Sequence, residues 1–424
     1  MSRADTTPDD STSVGDPIVS FYERHPYPPP VDDLDDYRVR WSDPTVRRAE
    51  HHLLFPGHSF QEDLQVLVAG CGTFQAARHA MRWPGGRVVG IDVSDTSIRH
   101  TQALKQRYEL ANLELHQMPI ERVGELDRQF DLIVCTGVLH HLVDPDAGLR
   151  ALRSVLRSGG AMLIMVYAPY GRTGVTMMQE YARRLEIGTS QEEIGDLARS
   201  LVEIPRDHPL DSLLRNSPDF RKSDALADAL LNPRDRTYSV PEFFDYIERS
   251  GFVFGRWYRQ APYRAECGAL LTIPHASRLA ALPPAEQYAA VELFRGSMSR
   301  HSAVIHRDDD PLDRWQYEPD NTVLTEAIPI RLPQTLTIEE RLPPGAAAVL
   351  INRSHPYPDL VVPIDHLEKR LIDAIDGRRS ITEIAAGAGL GGEGDRGRVL
   401  GFFRQLLRCD QVVLDLSGTA PNDG

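Results

Sequence analysis

The sequence predicts an α/β protein: a largely parallel sheet with helices on both faces, followed by a small α+β domain. Three observations carry this expectation. Residues 66–69, 87–92 and 130–136 are short runs dominated by Val, Ile and Leu, and helix-like stretches separate them. Near-continuous apolar strands that alternate with helices are what a sheet covered on both faces requires. The first run empties into Gly70-Cys71-Gly72, and the second ends in Asp92, twenty positions after Gly72.

Each element then has a chemical consequence. Val66-Leu67-Val68-Ala69 delivers the chain through a glycine turn onto a helix. Such a junction is a cradle of free backbone N–H groups, and its glycines let a ligand approach the main chain. A carboxylate at the tip of the next strand, spaced as Asp92 is, accepts hydrogen bonds from both hydroxyls of a ribose. Phe130-Asp131-Leu132-Ile133 opens another buried strand, which breaks into the small-residue loop Thr136-Gly137 and runs on to His140-His141. After a further helix, Gly159-Gly160 precedes a strand over residues 161–166.

In this order the motifs resemble the class I, Rossmann-like S-adenosylmethionine-dependent methyltransferases, over residues 62–168. The resemblance implies a Rossmann-like seven-stranded methyltransferase sheet, S-adenosyl-L-methionine as cofactor, and methyl transfer to an O, N or C nucleophile. It implies cofactor contacts from Ala69, Gly70, Cys71, Gly72, Asp92, Val93, Ile120, Glu121, Thr136 and Gly137. Phe74 stands where the family carries its third glycine, and the acid that the family often carries after strand three to meet the adenine amine is not obvious in residues 116–121. An NAD-dependent oxidoreductase shares the loop and the acid but leaves the strand-four loop and the Gly-Gly turn without a use.

Methyl transfer is an in-line displacement, so alignment of the acceptor at ~3 to 3.5 Å supplies much of the rate, and a base is needed only for an acceptor that arrives protonated. His140 and His141, at the carboxyl edge of the fourth strand, are the candidate general bases, because imidazole titrates near neutrality. Their plain alternative is pocket wall. Tyr167 and Tyr170, after the fifth strand, either bound the acceptor pocket or pack in the core. Cys71 reads as a small buried hydrophobe rather than a nucleophile.

The flanks are organised around this core. Residues 1–16 are polar and acidic and read as a disordered tail. Residues 17–60 begin with a short amphipathic helix, pass through the prolines of His25–Pro30, and continue into an acidic loop at Asp32–Asp36. They form a lid that turns Tyr22 and Tyr27 toward the ligand, or a strap outside the sheet. The methyltransferase domain is expected over 61–310, with helical insertions at about 171–235 and 262–298. The first insertion caps the substrate cavity or serves a homodimer.

Ser239 with Pro241 opens a helix that Ser250-Gly251 stops, residues 284–295 form an amphipathic helix, and residues 301–306 form the last strand. Asp308-Asp309-Asp310-Pro311 reads as a boundary, and the stretch to Pro344 lacks pattern. From 345 to 424 two capping boxes, Asp365 with Glu368 and Ser380 with Glu383, open apolar-periodic helices, and a third helix precedes a strand at 412–416. This suggests a winged-helix-like domain. The arrangement is similar to that of bacterial protein lysine methyltransferases, which would use such a domain to dock substrate.

Composition narrows the partners. The chain of 424 residues carries a formal charge of −14, and residues 361–424 hold ten acids against eight basic residues. A nucleic-acid face should be plainly basic, so none is expected. Four dispersed cysteines without CxxC spacing disfavour a metal centre and a disulfide framework. No apolar run reaches the ~18 to 20 residues of a membrane span, and the expectation is a cytoplasmic protein acting on a small-molecule or peptidyl acceptor. A non-catalytic cofactor-sensing protein on the same fold is the rival reading.

Overall fold

The computed structural model describes residues 16–216, 220, 222–311 and 317–419. The expected tail lies outside these residues except for Asp16, which caps the first helix, α1 (Pro17–Arg24), by accepting from the Ile18 N–H at 2.9 Å. Two helices follow, α2 (Asp35–Ser42), which begins inside the expected acidic loop, and α3 (Pro44–Leu54), for which no element was expected. Asp35 and Asp36 occupy the first turn of α2, where the positive end of the helix favours carboxylates. The same acids that suggested a loop therefore start a helix.

A seven-stranded sheet forms the centre. Its strands are β1 (Gln65–Ala69), β2 (Arg87–Asp92), β3 (Leu113–Gln117), β4 (Phe130–Thr136), β5 (Leu156–Tyr167), β6 (Phe252–Trp257) and β7 (Arg300–Arg307). The spatial order is 3-2-1-4-5-7-6, with β1 to β5 parallel and β7 antiparallel to both β5 and β6. Helices α4 (Gln75–Arg82), α5 (Asp95–Arg107) and α6 (Pro145–Val155) make the crossovers. Successive strand residues face opposite layers. Leu67, Ile91, Ile133 and Met162 pack toward α6, whereas Val66, Val68, Val134 and Leu163 pack toward α3 and α4.

One local expectation is corrected here. Gly159-Gly160 is not a turn ahead of β5 but lies within it, in a register break opposite Phe130–Leu132. Gly159 takes φ +75°, and its N–H is held by the Asp310 carboxylate at 3.0 Å. The positive φ that made the pair look like a turn serves a bulge instead.

Between β5 and β6 the chain builds α7 (Thr173–Arg184), α8 (Gln191–Val202), α9 (Asp211–Asn216), α10 (Ser223–Leu231) and α11 (Val240–Arg249). Helices α7, α8 and α10 bury Phe21 of α1 among Val175, Leu197 and Leu226. Between β6 and β7 lie α12 (Ala276–Ala280) and α13 (Pro284–Arg295), the latter ended by Gly296 in the left-handed region. No described helix is long and apolar enough to cross a membrane.

The stretch expected to lack pattern holds α14 (Asn321–Glu326), β8 (Ile328–Arg331) and β9 (Thr335–Ile338). Then follow β10 (Ala348–Asn352), β11 (Val361–Ile364), α15 (His366–Asp373), α16 (Ile381–Gly387), α17 (Glu393–Arg408) and β12 (Val412–Asp415). Both expected capping boxes form. Strands β9, β10 and β11 make a small antiparallel sheet, and β12 pairs with β8. These residues are tied to the central sheet by the buried Arg256–Asp410 pair at 3.2 Å, by Arg48–Asp415 at 2.7 Å and by the Leu416 N–H on the Pro56 carbonyl at 2.8 Å. The thiols of Cys267 and Cys409 are free and lie 3.1 Å apart across the same contact.

Candidate active site

A cavity of about 1700 Å³ runs along the carboxyl edge of the sheet. That exceeds the ~300 to 1,000 Å³ of a site for one small molecule, so a cofactor and an acceptor fit together. Of the residues expected to contact the cofactor, Gly70, Asp92, Val93, Ile120, Glu121, Thr136 and Gly137 line the wall at one end. Ala69, Cys71 and Gly72 do not. Ala69 and Cys71 are buried beneath the loop, and burial pushes the Cys71 thiol up from its usual range.

The glycine loop also differs from the expected cradle of free donors. The Gly70 and Cys71 N–H groups both donate to the Ile91 carbonyl at 2.9 Å, and the Gly72 N–H donates to Asp92 at 2.8 Å. The two glycines are required for packing rather than for donor supply. Both have positive φ; a Cβ on Gly70 would lie 2.3 Å from Val138, and one on Gly72 would lie 2.8 Å from Pro28 and from the Tyr27 carbonyl. Asp92 uses one oxygen for the Gly72 N–H and the other for the Ser94 N–H at 2.9 Å. Each oxygen keeps a lone pair for a further donor from the cavity. Burial raises the carboxyl's pKa, and the two N–H groups pull it back.

The N-terminal segment divides between its two readings. Residues 17–31 cross the cavity, with Tyr22 and Tyr27 in its wall, while α3 packs on the outer face of the sheet. Glu23 clasps the start of α5 by accepting from the Asp95 N–H at 2.5 Å and from the Thr96 hydroxyl at 2.7 Å. Thr73 donates to the Pro28 carbonyl at 2.7 Å. Tyr22 donates to Asp228 of α10 at 2.9 Å, and burial with that carboxylate keeps its phenol protonated far above neutrality.

The two histidines separate. His141 lines the cavity, and its Nδ1 lies 2.5 Å from the Arg234 carbonyl, which accepts only if Nδ1 carries the proton. Its Nε2 has no hydrogen-bond partner among the described residues, and in the Nδ1–H tautomer it is an acceptor. His140 is fully buried behind it, between His141 and the Tyr167 ring at 4.0 Å, and burial, His141 and Arg172 drive its pKa well below the usual value. His140 thus stays neutral and does not meet the cavity, contrary to the expectation for a base. Tyr167 is in the wall, but Tyr170 is 40 % exposed and outside it.

His140, His141 and Asp235 bring ligand atoms within 4.8 Å of one another, an arrangement able to hold a metal ion. Arg172 already pairs with Asp235 at 2.7 Å and stacks on Tyr167 at 3.6 Å, so the cluster's negative charge is matched.

The other end of the cavity escaped the sequence reading. Gln75 and Arg78 from α4, Tyr258 and Arg259 beyond β6, Ser302 of β7 and Tyr357 from the C-terminal region line it. The Thr136 hydroxyl donates to the Gln75 side-chain Oε1 at 3.0 Å, which joins this end to the Asp92 end. Arg78 follows Gln75 by three positions on a helix that leaves the glycine loop, and that spacing was the available signal.

Comparison with known proteins agrees with this geometry. A family model described as a methyltransferase domain matches residues 60–195. An uncharacterized protein of Synechococcus is 29 % identical over 337 residues, covering 75 % of this chain and 77 % of that one. The ubiquinone biosynthesis O-methyltransferase of Pseudomonas fluorescens is 30 % identical over 132 residues, 31 % of this chain and 50 % of the relative. Its counterpart in Acinetobacter baylyi is 24 % identical over 161 residues, 38 % and 62 %. The chain therefore spans between half and 62 % of the length of these two O-methyltransferases. The structure of PKMT2 from Rickettsia typhi in complex with AdoHcy superposes with a TM-score of 0.62 at 17 % identity, over 88 % of this chain and 76 % of that one. Sheet order, glycine loop, the acid of β2 and the match over residues 60–195 together mark a class I S-adenosylmethionine-dependent methyltransferase domain in this chain.

Proposed function

We propose that this methyltransferase acts on a small-molecule or peptidyl acceptor bound at the α4, β5 and β7 end of the cavity. The observation that carries the reading is the continuity of one cavity from Asp92 to Ser302. S-adenosylmethionine supplies an electrophilic methyl group on a sulfonium, and Asp92, Val93, Ile120 and Glu121 are the residues that would hold its nucleoside. Gly137, with φ +80° and only the Met165 methyl 3.5 Å from where a Cβ would stand, leaves room beside β4 for the rest of the cofactor.

The strap over residues 17–31 excludes water, which strengthens every polar contact beneath it. For an acceptor that arrives protonated, His141 Nε2 is the group that takes the proton, oriented by the Arg234 carbonyl. Most of the rate comes from alignment. Labelled methyl transfer from S-adenosylmethionine into fractionated small metabolites and proteins of a bacterial lysate tests the reading, and no uptake in either fraction would refute it.

A second reading has its own observation. Ser354, Pro356 and Tyr357 line the cavity, so the C-terminal region, read as a winged-helix-like domain over about 345–424, stands where it could dock a peptide bearing the methyl acceptor, as a lysine-type protein methyltransferase would.

A further inference from the structure

In a chain with a formal charge of −14, the acceptor end of the cavity has no acid in its wall. The acids that line the cavity belong to the other end: Asp92 and Glu121 at the nucleoside site, Asp16 paired with Arg234, and Asp144 capping α6. Glu125, also in the lining, is paired with Arg122. The acceptor end carries Arg78 and Arg259 instead. Its floor is set by register. Thr136 pairs with Met165 and Met165 with Ser302, so these side chains share one face of the sheet, and the Thr136–Gln75 bond brings the first turn of α4 down upon it.

Arg78 is half-buried, and no carboxylate lies within ion-pair distance of it among the described residues. Its guanidinium rests over the Phe74 ring at 4.2 Å and the Tyr37 ring at 5.2 Å, and its Nε has no hydrogen-bond partner. Arg82, one turn later, is by contrast satisfied by Glu50 at 2.6 Å and by Tyr37. Arg259 donates to the Ser354 hydroxyl and likewise has no carboxylate partner among the described residues. A desolvated guanidinium without a counter-ion is costly, because it stays charged at neutral pH and has lost water. Arg78 shows this cost: burial lowers its pKa. An anionic ligand removes it.

We propose that the methyl acceptor carries a carboxylate or phosphate on a flat apolar body, with Arg78 as the principal anchor and Arg259 as the second. Phe74, Tyr258 and Tyr357 supply the surface for that body. The inference rests on the reading of this cavity as a cofactor-and-acceptor site. It disfavours a free amine as the group that enters beside Arg78.

The test uses the full chain saturated with S-adenosylhomocysteine. Ligand-observed NMR titrations compare benzoate, 3-phenylpropanoate and phenyl phosphate with benzamide, 3-phenylpropanamide and 3-phenylpropylamine. The anions should bind about tenfold more tightly than the neutral amides, as expected for hydrogen bonds to a charged group, and the amine more weakly than either. The ratio of phosphate to carboxylate affinity identifies the preferred head group. Arg78→Met should abolish the preference and Arg259→Gln should reduce it, with S-adenosylhomocysteine affinity unchanged in both.

Equal binding of acids and amides, preference for the amine, or no anion bound at millimolar concentration would overturn the proposal. So would a preference that persists in Arg78→Met while S-adenosylhomocysteine affinity falls, since Arg78 would then serve the cofactor's own carboxylate. Failure of the wild-type protein to bind S-adenosylhomocysteine would refute the site reading itself, which separates the two failures.

Discussion

At Asp92 both carboxylate oxygens already hold backbone N–H groups, from Gly72 and Ser94, before any ligand arrives. The residue therefore fixes the glycine loop and keeps a lone pair on each oxygen facing the cavity. Asp92→Ala should weaken S-adenosylhomocysteine by about 1 to 3 kcal/mol and lower thermal stability as well, because two donors lose their acceptor. Calorimetric titration and a melting curve measure the two effects, and an unchanged affinity in folded protein would remove the ribose assignment. The histidines divide in the same manner. His141→Ala should reduce turnover of a protonated acceptor by ~10² to 10⁴-fold with cofactor affinity nearly unchanged, whereas His140→Phe should act on stability alone. Burial holds His140 well below its ordinary pKa and His51 and His306 at about 3. A depressed imidazole pKa means that the unfolded chain binds protons which the folded chain refuses. Stability should then be full above the unfolded value of about 6.5 and fall as pH drops below it, by up to about 1.4 kcal/mol per unit for each such group. Melting temperatures between pH 8 and 5 check the sign, and a flat profile would contradict it.

The strap shows how one element is held by another. Glu23 of α1 caps α5, Thr73 of the glycine loop holds Pro28, and Phe21 is buried under α7, α8 and α10. Glu23→Ala should cost about 1 kcal/mol, in the range of a lost helix cap, and should raise amide exchange across residues 17–24 more than across the sheet. Uniform exchange changes would show that α1 and the sheet open as one unit. Elements of this chain were legible where their signals are local. The strands β1, β2 and β4, the proline-opened α11 and α13, and the boxes at Asp365 and Ser380 announce themselves through runs, caps and stops within a few residues. Helix α2 was not legible, because Asp32–Asp36 suits a loop and a helix start equally. Strands β8 and β9 are four residues each, too short for a period of two, and β8 depends on a partner more than eighty positions away. That Gly70, Asp92, Thr136 and Gly137 gather at one end of the cavity was readable for the same local reasons. The acceptor end was not, since Arg78, Tyr258, Ser302 and Tyr357 meet only through the sheet order.

The central sheet and the C-terminal residues share a buried, ion-paired contact across the sequence boundary read at Asp308–Pro311. Arg256 and Asp410 are almost fully buried against each other, and Asp410 also accepts from the Ala261 N–H at 2.9 Å and lies 3.1 Å from His355 Nε2. Arg256 bears the cost of that burial in a lowered pKa, with Asp410 opposing the shift. Removing one partner of such a pair leaves a buried charge unmatched, which typically costs about 3 to 5 kcal/mol. Asp410→Ala should therefore shift the denaturant midpoint far more than Asp395→Ala on α17. The same argument decides what a chain ending at Arg307 would do. It would lose β12 from the side of α3, expose Arg48 and Arg256 without their carboxylates, and remove Ser354, Pro356 and Tyr357 from the cavity wall. The expected outcome is aggregation or a strongly lowered melting temperature. A truncated chain that melts cooperatively near the full-length temperature and binds S-adenosylhomocysteine with full affinity would show instead that the sheet carries its own stability, and that the buried ion pair adds only orientation to the acceptor end.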